Sequence, residues 1–319
     1  MPFDSSLAAL DLGSNTFRLI IAPQGEGGLS QSRVWQEIPR LSEGLEKGHL
    51  LAEAPKRRAL EALDGFNQII LNEKPGKILA GGTMVFRQAR DGGEFLENVG
   101  QRFGWETMVL SGSQEAFLSA RGVLSGLEPI PPETLIFDVG GRSTEFINVY
   151  GDQIVRVQSL DVGVVGLTED FIKSDPPRPE ELLSLDGYIR KKLSGGDWNS
   201  LTPQATLVGT AGTVTTMAAM LMKLIDYDRN KINNLVVDIE SIMALLLKLS
   251  NETNQTRQAH PGLHPRRADV IVAGLVLVST IMDYFSKAKI IISDNSLLEG
   301  LWLAAAGLVP LNPKMSEVR

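Results

Sequence analysis

The segment LAALDLGSNTFRLIIA, residues 7–22, sets a carboxylate, Asp11, at the end of an apolar run and follows it at once with Gly13, Ser14 and Asn15. A buried strand ending in an acid and a flexible polar turn makes a poor core, but it can hold a metal ion and aim backbone N–H groups at a phosphate. The pattern returns in TLIFDVGGRSTEFINV, residues 134–149: an apolar strand, Asp138, an aliphatic residue, glycine, a small polar turn and a second strand. One such hairpin is ordinary Asp-x-Gly turn chemistry. Two in matching position, one per domain, predict that both carboxylates and both turns converge on one phosphate chain and its metal across an interdomain cleft.

Cleavage of a phosphoanhydride requires donors around the transferred phosphoryl group, a divalent cation to balance charge, and a group that orients or deprotonates water. Gly13, Ser14 and Asn15 of the first turn, with Gly141, Arg142 and Ser143 of the second, can supply backbone and side-chain donors. Arg87, after the strand-turn ILAGGTMV, could fork across two phosphate oxygens, which lysine cannot do. Asp11, Asp138 and Glu145 are hard oxygen ligands suited to Mg²⁺ through waters. Glu115 falls in the first turn of the helix after MVLSG, with Ser113 as its expected N-cap. A carboxylate there either complements the helix dipole or serves as the base, and spacing alone leaves both open. GTAGTVTTMA, 209–218, reads as a strand, a Gly-rich turn and a helix start, where Gly209, Thr210 and Gly212 could bind an anion. It has no Walker lysine, so it is not a P-loop. His260 and His264 are four apart, but Pro261 and Pro265 interrupt any helix between them. A loop carrying Arg266 and Arg267 near a polyanion path is expected there rather than a zinc site.

These residues need a frame. Strand-like runs near 7–12, 16–22, 77–82, 106–111, 134–139, 144–149, 153–160, 205–209 and 288–293 alternate with helical segments near 55–73, 93–103, 113–124, 178–193, 212–224, 239–249, 268–285 and 296–307. The pattern is α/β with mixed sheets. The Pro-rich LEPIPPE, 127–133, marks the border between a domain at 1–126 and one at 127–319, with the last helix able to pack back on the first. The 319 residues suffice for two domains, and a composition 43% apolar and 22% charged is that of a soluble globular protein. The absence of cysteine excludes disulfides, thiol catalysis and zinc–thiolate sites. A formal charge of −7 argues against non-specific nucleic-acid binding, so an anionic substrate needs a local basic pocket. The apolar runs 205–222 and 270–282 read as buried elements rather than membrane spans. With no export signal at the N-terminus, the expected location is the cytoplasm.

Eight blocks in order, DLGSNTFRL, GGTMVFRQA, SGSQEAFLSARGV, DVGGRSTEF, SLDVGVVGLTEDF, GTAGTVTTMA, GLHPRRADVIVAG and SDNSLLEG, resemble the exopolyphosphatase / guanosine pentaphosphate phosphohydrolase family over nearly the whole chain. The resemblance implies an α/β, two-domain actin-like fold built on ribonuclease H-like motifs. It also implies Mg²⁺ as cofactor and a homodimer. Inorganic polyphosphate is the first expected substrate and guanosine pentaphosphate the second. The family's proposed catalytic glutamate, in its EEA motif, matches Glu115, with Gln114 in place of the first acid. Three positions depart from the family pattern: Arg142 stands where a third glycine is usual, Gly166 replaces the basic residue of VRLTE, and Leu298 that of LREG. The departures keep a non-catalytic polyphosphate or nucleotide sensor open as an alternative. An ATP-dependent sugar or acetate kinase would need adenine and acceptor pockets that the sequence does not reveal.

Overall fold

The computed structural model describes residues 6–25, 27–45, 48–151 and 153–311. These divide into two compact units, one of residues up to 125 with 296–311, the other of 126–295. The chain passes from the first unit to the second at 125/126 and returns at 295/296.

The first unit runs β1 (Ser6–Leu12), β2 (Phe17–Pro23), β3 (Arg33–Glu37), α1 (Glu53–Glu73), β4 (Lys77–Gly82), α2 (Met84–Gln88), α3 (Gly92–Phe103), β5 (Glu106–Val109) and α4 (Gly112–Ser125). Its sheet has the order β3-β2-β1-β4-β5. β1, β4 and β5 are parallel, and β2 and β3 fold back antiparallel. α1 forms because apolar residues recur at helical spacing: Ala59, Leu63, Phe66 and Ile70 are its buried face. Each large side chain so buried contributes roughly 1.5–3 kcal/mol.

The second unit runs β6 (Glu133–Val139), β7 (Thr144–Tyr150), β8 (Gln153–Leu160), α5 (Val164–Phe171), α6 (Pro179–Ser194), β9 (Thr206–Thr210), α7 (Ala211–Leu221), α8 (Arg229–Ile232), β10 (Val236–Asp238), α9 (Ile239–Ser250), α10 (Asn254–Arg257), α11 (Ile271–Tyr284) and β11 (Lys289–Ile292). Its sheet order is β10-β11-β9-β6-β7-β8. Read from β8, it repeats the first sheet strand for strand, three antiparallel strands and then two parallel ones, with β10 added at the edge. α11 is buried on every side from Ile271 to Met282, which is why its sequence is apolar throughout rather than amphipathic. The other long apolar run is β9 followed by α7. No helix among the described residues is long and apolar enough to cross a membrane.

The last helix, α12 (Leu297–Ala305), belongs to the first unit and packs along α4. Two glycines make that contact close. A Cβ on Gly122 would overlap the Ser296 carbonyl, and one on Gly300 would overlap that of Leu118.

The expected α/β, two-domain actin-like architecture is thus present as a duplicated sheet. Sequence reading omitted β3, β10, α2, α5, α8 and α10, the last two of four residues each. The edge strands are short and largely exposed, so they lack alternation. The helices α2 and α5 are of five and eight residues, too short to stand without tertiary support.

Candidate phosphate site

Each unit presents the carboxyl ends of its parallel strands, where ligands of open α/β sheets bind. In the first, Asp11 ends β1 and faces Arg18 of β2 directly across the hairpin. Arg18 donates from Nε (3.1 Å) and Nη2 (2.6 Å) to Asp11 Oδ2, and from Nη2 to Ser296 Oγ at 2.9 Å. In the second, Asp138 ends β6 and faces not a cation but Glu145. Glu145 Oε1 accepts the hydroxyls of Ser143 (2.7 Å) and Ser159 (2.8 Å). The two hairpins share their topology and differ across the strands: an arginine faces Asp11, and a second carboxylate faces Asp138. Like charges in that position repel.

The turns are built alike. Gly13 N donates to Thr16 O at 3.0 Å, and Gly140 N to Ser143 O at 2.9 Å. A Cβ on Gly13 would stand 2.8 Å from Thr16 O, and one on Gly140 2.9 Å from Ser143 O, so both positions require glycine. The turn carbonyls are then tied down from one side. Ser14 O accepts from Ser42 N (3.0 Å) and Asn15 O from Arg40 N (3.1 Å). Gly140 O accepts from Val164 N (3.1 Å), and Gly141 O from Val165 N (2.8 Å) and Gly166 N (3.2 Å). In a trans peptide N–H and C=O point in opposite directions, so each anchored carbonyl aims the next residue's N–H away from its support. That leaves the amides of Asn15 and Thr16, and of Gly141 and Arg142, directed outward like a small anion nest.

Arg87 on α2 and Glu115 at the start of α4 are brought together: Arg87 Nη1 donates to Glu115 Oε2 at 2.8 Å and to Leu110 O at 2.5 Å. Both side chains remain partly exposed, at 31% and 24%. The expected cap at Ser113 is replaced by Ser111, whose Oγ accepts from Gln114 N (3.2 Å) while Gln114 Oε1 accepts from Ser111 N (2.8 Å). This reciprocal box holds the α4 terminus without using Glu115.

Around α7 the glycines have packing duties. A Cβ on Gly209 would stand 2.7 Å from the Phe137 ring. Thr210 is fully buried and donates from Oγ1 to Asn295 O at 3.0 Å. Arg267 lies over Gly212, donating to its carbonyl and, at 3.0 Å, to Thr216 Oγ1. Ala211 opens α7 at φ +71°, a left-handed conformation rare for a residue with a Cβ. His260 Nε2 meets Glu252 Oε2 at 2.6 Å, and His264 Nδ1 accepts from Arg266 N at 3.2 Å, so each imidazole is engaged locally. Burial, with Arg267 and Arg266 beside it, pushes the His264 pKa down.

No group of three or more His, Asp or Glu among the described residues could form a metal cage. Asp138 and Glu145 nevertheless suit Mg²⁺, which takes one or two carboxylates and keeps waters or phosphate oxygens for the rest. A cation reaching Asp11 would share its carboxylate with Arg18.

Sequence reading missed Arg18, although its place was legible: a strand–turn–strand hairpin puts residues equidistant from the turn face to face. It also missed Ser159, which comes from β8 and reaches Glu145 only through the sheet.

A duplicated 3-2-1-4-5 mixed sheet defines an actin-like α/β protein. Residues 21–307 match the model of the Ppx/GppA phosphatase family. The chain is 30% identical over 310 residues to a bifunctional 3-dehydroquinate synthase/phosphatase of Fusobacterium nucleatum, covering 92% of this chain and 45% of that protein. It therefore spans less than half the length of that relative. Exopolyphosphatase 2 of Mycobacterium tuberculosis is 28% identical, with 94% of this chain and 98% of that protein covered. The solved structure of an Aquifex aeolicus PPX-GPPA enzyme has 30% identity and a TM-score of 0.80 over 94% of this chain and 99% of that one. An exopolyphosphatase-like protein superposes with a TM-score of 0.84 at 26% identity, over 95% and 100%. The chain belongs to the Ppx/GppA phosphatase family, and so to the hydrolases.

Proposed function

We propose that this chain releases the terminal phosphate of inorganic polyphosphate by attack of water. The observation that carries the proposal is the pair of hairpin turns whose carbonyls are anchored on one side, leaving their amides aimed outward for phosphate oxygens. A relative whose name is an exopolyphosphatase, alignable over 94% of this chain, supports that substrate.

In this reading Arg87 has two tasks. It holds the Glu115 carboxylate through Nη1, and its remaining guanidinium N–H groups meet the terminal phosphoryl oxygens. Glu115 orients a water and accepts its proton as the water oxygen bonds to phosphorus. The bridging P–O bond breaks, giving orthophosphate and a chain one unit shorter. Asp138 and Glu145 would hold Mg²⁺, which when bound neutralises charge on phosphate oxygens. Outward-facing backbone amides of a hairpin turn bind the non-reacting oxygens and fix the chain end for in-line attack. Guanosine pentaphosphate presents the same terminal phosphoanhydride and is the alternative substrate of the same site.

Phosphate release from polyphosphate, guanosine pentaphosphate and ATP, each with Mg²⁺ and with chelator, tests the proposal. Release from polyphosphate that stops on chelation is the expected result. Release from guanosine pentaphosphate alone would move the assignment to the nucleotide. Binding of polyphosphate with no release from any substrate would make the chain a sensor.

A further inference from the structure

Arg142 stands at the tip of the second hairpin with its backbone fixed and its side chain stowed. The fixation comes from α5. Val165 N and Gly166 N both donate to Gly141 O, and Gly163 lies so flat against Arg142 that any Cβ there would overlap the arginine backbone. The side chain then runs along α5 over Gly166. A Cβ at position 166 would stand 3.8 Å from Arg142 Cδ and 3.6 Å from Nη1, ordinary van der Waals distances, so the arginine side chain lies along this face of α5. The side chain ends in a single ion pair, Nη2 to Glu169 Oε2 at 2.8 Å, with the two side chains 53% and 56% exposed.

We infer that Glu169 holds Arg142 in reserve, and that a phosphate chain draws the guanidinium off Glu169 onto its own oxygens, so that this pair sets the affinity for polyanions. The inference rests on the proposed phosphate site and deepens it. Three features make the exchange favourable. An ion pair this exposed is worth at most about 1 kcal/mol, so leaving it costs little. A chain of phosphates offers the planar guanidinium bidentate acceptors and more than one charge. The Cα of Arg142 is anchored beside the outward-facing amides of Gly141 and Arg142, so the guanidinium can reach their ligand while the turn itself stays still. Glu169 is therefore a positioning residue, acting through Arg142. Since the chain carries a formal charge of −7, one releasable cation at the turn has a large effect on how an anion is received.

The test is a double-mutant cycle read by calorimetric titration of tripolyphosphate into the whole protein, with thermal unfolding recorded for every variant. Arg142→Ala should weaken binding by roughly tenfold, the loss of one charge-assisted contact. Glu169→Gln should tighten it by about two- to fivefold, because the guanidinium no longer has a competitor. In the Arg142→Ala background, Glu169→Gln should have no effect on affinity. If Glu169→Gln tightens binding equally in both backgrounds, it acts only as a removed negative charge and the inference is overturned. If it lowers the unfolding temperature and leaves affinity unchanged, the pair is only a brace, and the inference is again overturned. Phosphate release by the wild type, measured in parallel with Mg²⁺, separates the two claims. A protein that binds tripolyphosphate through this cycle but releases no phosphate keeps the inference and loses the hydrolase reading. One that turns over with an unchanged cycle does the reverse.

Discussion

Replacement of Glu115 by glutamine separates chemistry from stability, because the geometry makes the two costs very different in size. The ion pair lost is the 2.8 Å contact with Arg87, between side chains about a quarter to a third exposed, worth about 0.2–1 kcal/mol. The favourable charge at the α4 N-terminus adds about 0.3–1 kcal/mol. The helix keeps its Ser111–Gln114 box, and Arg87 keeps Leu110 O. The glutamine oxygen can still accept from Arg87, so the side chain stays in place. A total loss below about 2 kcal/mol against a native stability of roughly 5–15 kcal/mol leaves the protein folded. Removal of the base, in contrast, should lower turnover by roughly 10²–10⁴-fold, or about 3–5 kcal/mol of barrier. Initial rates of phosphate release from polyphosphate, normalised to folded protein by thermal unfolding, measure both. Turnover within about threefold of wild type would refute the base role and leave Glu115 as a dipole partner.

Two further predictions concern the frame. Gly300→Ala forces a methyl into the Leu118 carbonyl where α12 crosses α4, and should destabilise the first unit by about 1–3 kcal/mol or more, seen as a lower urea midpoint; an unchanged midpoint would refute the close crossing. Glu181 accepts from Ser174 Oγ (2.5 Å), Arg178 N (2.9 Å) and Lys173 N (3.2 Å) at the start of α6, and these bonds, the Ser174 hydroxyl foremost, lower its pKa from 4.5 to about 2. Because the folded pKa is the lower one, its contribution of about 1–3 kcal/mol is complete above pH 4.5 and lost as pH falls from there toward 2. Glu181→Gln should remove that part of the acid slope in urea unfolding, and parallel pH curves for the two proteins would refute it.

The local sequence determined the hairpins. An apolar strand, an acid, a glycine and a second strand close a four-residue turn by themselves, since only residues near in sequence must meet, and the repeat of that unit is visible as text. The long apolar run at 270–282 likewise announced a buried helix, because burial on all sides leaves no polar stripe. The same hairpin geometry makes legible the residue that faces each carboxylate, Arg18 for Asp11 and Glu145 for Asp138. The Arg87–Glu115 pair joins residues 28 apart, from α2 and the start of α4, which follow parallel strands that local pattern cannot align. The Arg142–Glu169 pair was likewise illegible: it joins the tip of the hairpin to α5, which only packing brings together. Tertiary structure decides such contacts because their energy resides in pairs distant along the chain, whereas propensity and periodicity report only on neighbours.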